Sequence, residues 1–199
     1  EGFVSAEAVR NAITDETKAV VMLHASNVCG TVQEIATVSR LCALHGIPLV
    51  LDASQSAGHI PIDFEALGLS AMAIPAHKGL LGPQGIGALL LSEAFAQKLD
   101  PLIAGGTGSM SDSEELPPYL PDRFESGTPN LPGIYGWSAA LDYVNQVGIE
   151  ALRRHELELT EYFLSGLEKI EGIRLLGTRQ TERRVGVIAI DYVNQDNAE

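Results

Sequence analysis

Lysine is scarce in this chain: Lys18, Lys78, Lys98 and Lys169 are all it has. Together with arginine they supply 13 cationic side chains against 26 acidic ones, a net charge of −13. So small a basic complement excludes a nucleic-acid or anionic-membrane partner, because binding phosphates at scale needs a basic face. Long apolar runs are missing too, and no stretch approaches the roughly 20 residues of a membrane span. The opening Glu1-Gly-Phe-Val has no basic segment followed by an apolar one, so no signal peptide is expected. Cysteine is limited to Cys29 and Cys42, with no Cys or His cluster beside either. That excludes a disulfide framework and zinc spacing, and it points to reduced thiols in a cytoplasmic protein. Cys29 lacks an adjacent base and reads as a packing residue, and Cys42 falls on the apolar face of a helix. His24, His45, His59 and His155 show no metal-ligand spacing. The glycines after Lys78 are not followed by Gly-Lys-Ser/Thr, so they form no nucleotide P-loop. The chain opens without methionine and stops just after a strand-like run, and it reads as a piece of a longer protein.

What is present is an ordinary globular composition, 45% hydrophobic and 20% charged. Ser5 to Ile13 has helical spacing with Ser5 as N-cap. Ala19 to His24 and Ile47 to Asp52 are continuous apolar runs, the pattern of strands buried in a parallel sheet. Between them, Glu34 to His45 places Ile35, Val38, Leu41, Cys42 and His45 on one helical face, closed by Gly46. Phe64 to Leu69 reads as a short helix or turn, Ala71 to Ile74 and Ile86 to Leu91 as strands, and Glu93 to Leu99 as a helix. Strands alternating with helices at this spacing predict an α/β fold with a mostly parallel sheet. From Pro101 to Pro132 periodicity is lost, as in functional or interface segments. Two helices follow. One, Gly133 to Val147, has Ile134, Trp137, Leu141 and Val144 on a face; the other, from Ile149 to Ile170, has Ile149, Leu152, Leu159, Phe163, Leu167 and Ile170. Ile173 to Leu176 and Val185 to Tyr192 read as strands. The division this suggests is a larger domain over residues 1–133 and the start of a smaller α+β domain over 134–199.

The chain's chemistry concentrates in Ala73-Ile-Pro-Ala-His-Lys-Gly-Leu-Leu-Gly-Pro-Gln-Gly-Ile-Gly87. Only here is a lysine wedged between an apolar run and glycines, where desolvation can make its amine nucleophilic. Parallel sheets bind ligands at the carboxyl ends of their strands. Three strands deliver polar groups to that edge: Asn27, then Asp52 with Gln55, then His77 with Lys78. An amine able to form an imine, a carboxylate for a pyridine nitrogen and donors for a phosphate together suggest pyridoxal 5′-phosphate, PLP.

Four motifs, His24-Ala-Ser-Asn-Val-Cys-Gly-Thr31, Asp52-Ala-Ser-Gln55, His77 to Gly87 and Arg123-Phe-Glu-Ser-Gly-Thr-Pro-Asn130, resemble those of class V aminotransferase-fold, PLP-dependent enzymes. They are most similar to the cysteine desulfurase and selenocysteine lyase branch. The resemblance runs through nearly the whole chain and implies the PLP-transferase three-layer sandwich, incomplete here. It also implies roles. Lys78 would form the imine with the cofactor and move the substrate α-proton. Asp52 would pair with the ring nitrogen, Gln55 and Asn27 would lie at the ring hydroxyl, and His77 would bind phosphate. Thr128 would reach the phosphate of a partner subunit in a homodimer. One departure stands out: where the family carries Ser or Thr before Ala76-His-Lys, this chain has Pro75, with neither hydroxyl nor amide donor. The ring-stacking histidine, the sulfur-accepting cysteine and the carboxylate-binding arginine of relatives fall outside positions 1–199.

The resemblance therefore implies a desulfurase-like reaction on L-cysteine or a similar amino acid, giving alanine and an enzyme persulfide, with a sulfur-acceptor protein as a further partner. Transamination or β-elimination by another class V enzyme is the alternative within enzymes. A folded but non-catalytic fragment is the alternative outside them.

Overall fold

The computed structural model describes residues 2–110 and 112–193. Helix α1 (Ala6–Ala12) opens with Ser5 as N-cap, its side chain accepting from the Ala8 amide. Strand β1 (Val20–Leu23), helix α2 (Ile35–Leu44) and strand β2 (Leu49–Asp52) follow, and then β3 (Ala71–Pro75) and β4 (Gly87–Leu91). The four strands form one sheet in the order β1-β2-β3-β4. β1, β2 and β3 run parallel, with Leu23 level with Asp52 and Asp52 level with Ala73. β4 returns antiparallel to β3, as the short connection between them requires, since a parallel neighbour needs a longer crossover.

Alternation within the strands decides what faces where. Met22, Leu49, Leu51, Ala53 and Met72 meet Ile35, Val38 and Cys42 of α2 in a buried cluster. Asp52, one residue on from Leu51, projects to the opposite face and is exposed. That opposite face also carries Val21, 73% exposed, and Leu89, 56% exposed. Among the described residues, one helical layer thus packs against the sheet.

The remaining elements are α3 (Glu93–Ala96), α4 (Leu131–Val147), α5 (Ile149–Leu167), and the antiparallel pair β5 (Ile173–Leu176) and β6 (Ala189–Tyr192). Asn130 caps α4 by accepting from the Gly133 amide. Phe64 to Leu69 forms turns without a helix. α5 stops at Leu167, so Ile170 lies beyond it. Its buried face is Thr160, Leu164 and Leu167, whereas Leu159 and Phe163 are exposed. On α4, Val144 is buried but Ile134 is exposed.

Val185 does not extend β6, because the segment before that strand pairs elsewhere. The Val185 amide donates to the Gly30 carbonyl and the Val32 amide to the Arg183 carbonyl. Arg184 between them is fully buried and donates to the carbonyls of Thr178, Val187 and Cys29. Burial pulls its pKa down, and the neighbouring Cys29 opposes that. Gly30 is required where the segments meet: its φ is +74°, and a Cβ there would lie 2.2 Å from the Val187 carbonyl oxygen.

Removing a buried charged donor leaves its acceptors unmet, which costs more than losing a surface ion pair. Arg184→Ala is expected to lose about 3 kcal/mol of stability, whereas Arg179→Ala, which removes an exposed pair with Glu168, loses under about 1 kcal/mol. Urea unfolding of the two variants checks the contrast.

Candidate functional site

The carboxyl ends of β1, β2 and β3 lie side by side. The His24 amide donates to the Asp52 carbonyl at 2.8 Å and the Ala53 amide to the Ala73 carbonyl at 3.0 Å. After β2 the chain turns at once, because Asp52 Oδ1 accepts from the Ser54 amide at 2.8 Å and the Ser56 and Ala57 amides donate back to Ala53. This Asx turn is what Asp favours at a strand end. It leaves the Asp52 carboxylate exposed at the sheet edge and Gln55 half-buried on the turn.

The turn after β3 is held by the Ala76 amide donating to Ile86, the Leu81 amide to Lys78 and the Gly82 amide to Ala76. Leu81 sits at a φ of 58°, an uncommon conformation for a branched side chain. Two other elements grip the turn. Gly58, at a φ of +84°, has its backbone so close to Gly79 that a Cβ would lie 2.2 Å from the Gly79 carbonyl. On the other side, a Cβ at Gly82 would lie 2.7 Å from the Trp137 ring.

Lys78 is half-buried in this turn and lines a hollow of about 710 Å³. Gly58, His59, Leu81 and the α5 residues Leu152, Glu156, Leu159 and Phe163 are among the residues of its wall. The exposed apolar side chains of α5 thus face this space rather than a packed core. His77 is exposed and lines a second hollow of about 490 Å³ with Ser54, Ala73, Pro75 and Gly87. Asp52 lines neither, although Ala73, level with it on β3, lines the second. Asn27 and Thr128 are exposed in their own turns and line neither hollow. The geometry therefore brings His77 beside the Asp52 turn and sets Lys78 on the side of that turn facing α5.

Burial governs His24, whose pKa is lowered from 6.5 to about 4. Its Nδ1 is buried and has no hydrogen-bond partner among the described residues. Burial pushes the Cys29 thiol up, but hydrogen bonds with Ser26 and Thr31 outweigh it and leave the pKa below its usual value. Burial raises that of Cys42, an apolar-core thiol. Both cysteines are free, and the described residues contain no cluster of ligands able to hold a metal. Nor does any helix among them have the length and apolarity to cross a membrane.

The class-V aminotransferase family model matches residues 1–199. The chain belongs to that family. It is 34% identical to a probable cysteine desulfurase of Methanothermobacter thermautotrophicus over 98% of its own length and 49% of the relative. It is 36% identical to a cysteine desulfurase of Escherichia coli O8, covering 96% of this chain and 47% of that one. Among solved structures, an apo cysteine desulfurase from Thermococcus onnurineus superposes with a TM-score of 0.89 at 30% identity, covering 98% of this chain and 49% of that one. The chain thus spans about half the length of the relatives it matches.

For a class-V chain, the chemistry of the donors at this edge can be tested against a pyridine aldehyde phosphate. An amine, a carboxylate with Oδ1 already committed to an amide, and an imidazole lie at the ends of neighbouring strands, and the Ser54 hydroxyl shares the hollow of His77. By chemical type these groups suit such a ligand, although Lys78 and His77 line separate hollows and Asp52 lines neither; Pro75 adds no donor to it. Sequence reading missed the grip of Gly58 on Gly79, because it depends on turns that meet only in the fold.

Two outcomes follow. Gly58→Ala is expected to destabilise the protein by about 2 kcal/mol or more, through backbone strain and the blocked approach, as measured by urea unfolding. For His24 the folded pKa lies below the ordinary value of 6.5, so protonation favours the unfolded chain. Its contribution is intact above pH 6.5 and is lost as pH falls toward 4. Between about pH 7 and pH 4 the parent is expected to lose about 3 kcal/mol more stability than His24→Asn, measured by denaturant unfolding at each pH.

Proposed function

We propose that the chain is the lysine-bearing part of a PLP-dependent, cysteine desulfurase-like enzyme. What carries the reading is the juxtaposition of Asp52 and the Lys78 turn at the ends of adjacent parallel strands, the edge where such sheets bind ligands. The likeness to cysteine desulfurases over nearly all of this chain supports the substrate, L-cysteine or a close analogue.

In this reading residues 1–133 belong to the cofactor domain and 134–199 open the smaller one. When bound, the cofactor supplies a ring able to take up electron density from the substrate α-carbon. Lys78 would hold it through Nζ, and the same amine, when free, would move the substrate α-proton. The Asp52 carboxylate keeps the ring nitrogen protonated. Gln55 and Asn27 orient the ring hydroxyl, and His77 donates to the phosphate. Thr128 completes the phosphate site of a partner subunit, which makes the enzyme a homodimer. Sulfur leaves to a cysteine outside residues 1–199 and then to an acceptor protein, and alanine remains. The free thiols and the acidic surface suit the cytoplasm.

Titrating the protein with PLP is expected to produce visible absorbance that borohydride fixes covalently to Lys78, read by peptide mass spectrometry. Lys78→Ala abolishes both signals, and a retained band in that variant would place the imine on another amine. Asp52→Asn is expected to keep the label and lower desulfuration by about 10²-fold, measured as alanine formed by the full-length enzyme.

A further inference from the structure

The hollow lined by Lys78 holds a His59–Glu156 contact with no part in the mechanism above. His59 follows Gly58 in the turn after β2, and its Nδ1 lies 3.0 Å from Glu156 Oε1 on α5. The opposite edge of the ring lies against Gly79, where a Cβ would be 2.5 Å from Cδ2 and 2.7 Å from Nε2. One imidazole therefore spans from a helix of the C-terminal part to the backbone of the residue after Lys78.

Glu156 is itself fixed. Oε1 accepts from the Gly186 amide at 2.7 Å, and Oε2 accepts from Arg153 Nη1 at 3.0 Å. Arg153 in turn donates through Nη2 to the Arg184 carbonyl at 2.7 Å. Burial raises the Glu156 carboxyl pKa, but His59, the Gly186 amide and Arg153 outweigh it and hold the group below the usual range. An anion anchored by both Gly186 and Arg153 cannot follow a moving imidazole, so the imidazole is set by the anion.

We infer that Glu156, acting through His59, positions the Lys78 turn. This rests on the reading of Lys78 as the cofactor-bearing residue. The ring of His59 presses on Gly79 from the side opposite its bond to Glu156, and so it limits where the backbone carrying Lys78 can lie. Misplacing a reacting group by about 1 Å can cost on the order of 10²-fold in rate, so a modest shift of this turn is enough to be read kinetically.

The test measures the rate at which PLP with borohydride labels Lys78 in the full chain, with exposed Lys98 as internal reference and thermal melting run in parallel. His59→Ala and Glu156→Ala are each expected to slow Lys78 labelling about tenfold and leave Lys98 unchanged. The double variant is expected to be no slower than either, because the pair acts as one unit. His59→Asn keeps a donor for Glu156 but loses the ring edge against Gly79. It is expected to recover the melting temperature without recovering the labelling rate. If His59→Ala does not fold, Glu156→Leu, which keeps the bulk but removes the acceptor for His59, gives the same comparison.

A folded His59→Ala labelled at the parent rate overturns the inference alone. So does His59→Asn restoring rate and melting together, which marks a plain structural tie. If Lys78 in the unaltered protein is labelled no faster than Lys98, the cofactor reading fails, and the inference fails with it.

Discussion

Two stretches of backbone touch at Gly58 and Gly79, and the site is arranged around that contact. No side chain fits between them. The turn after β2 and the turn after β3 are therefore locked together at the edge of the sheet, each already closed by its own hydrogen bonds. Asp52 stands at the root of one turn and Lys78 in the other. In the proposed reading, a carboxylate and an amine that engage a single planar ring need a fixed separation, and packing backbone on backbone gives less play than a side-chain contact. Trp137 against Gly82 closes the other side, so the lysine turn is braced from the sheet and from α4.

A second constraint ties the C-terminal part to the first. Arg184 is buried without a carboxylate partner and satisfies carbonyls from both sides of the junction. Burying a charge is costly unless its donors are used, and here both terminal nitrogens are used. The same junction supplies the Gly186 amide to Glu156 and the Arg184 carbonyl to Arg153. The path from the β1–α2 turn through Arg184 to α5 is thus continuous hydrogen bonding, and the hollow beside Lys78 takes its α5 wall from it.

The sheet was legible because its strands are short apolar runs that stop at polar turns. Leu49-Val-Leu-Asp52 announces both a buried strand and an acid at its end. Ser5 and Asn130 were of the cap type, though only Ser5 was read as one. The face of α5 was not legible, because periodicity marks apolar positions without saying whether core or cavity receives them: Leu159 and Phe163 border the hollow, whereas Leu164 is buried. Val185 looked like strand because it is apolar and β-branched, but its amide is claimed by Gly30. Arg184 gave no signal at all, since a buried arginine reads in sequence like a surface one. At the site, the types Lys78, Asp52, His77 and Gln55 were legible as chemistry. Their supports, Gly58, His59 and Glu156, were not, because each acts through a contact between distant segments.

The central claim is that one ring is held by the amine at Lys78 and the carboxylate at Asp52. A crystal structure of the protein grown with PLP tests it most directly. The account predicts continuous density from Lys78 Nζ to the cofactor and the ring nitrogen within about 3 Å of an Asp52 oxygen. A cofactor joined to another residue, or a ring whose nitrogen faces away from Asp52, would contradict it.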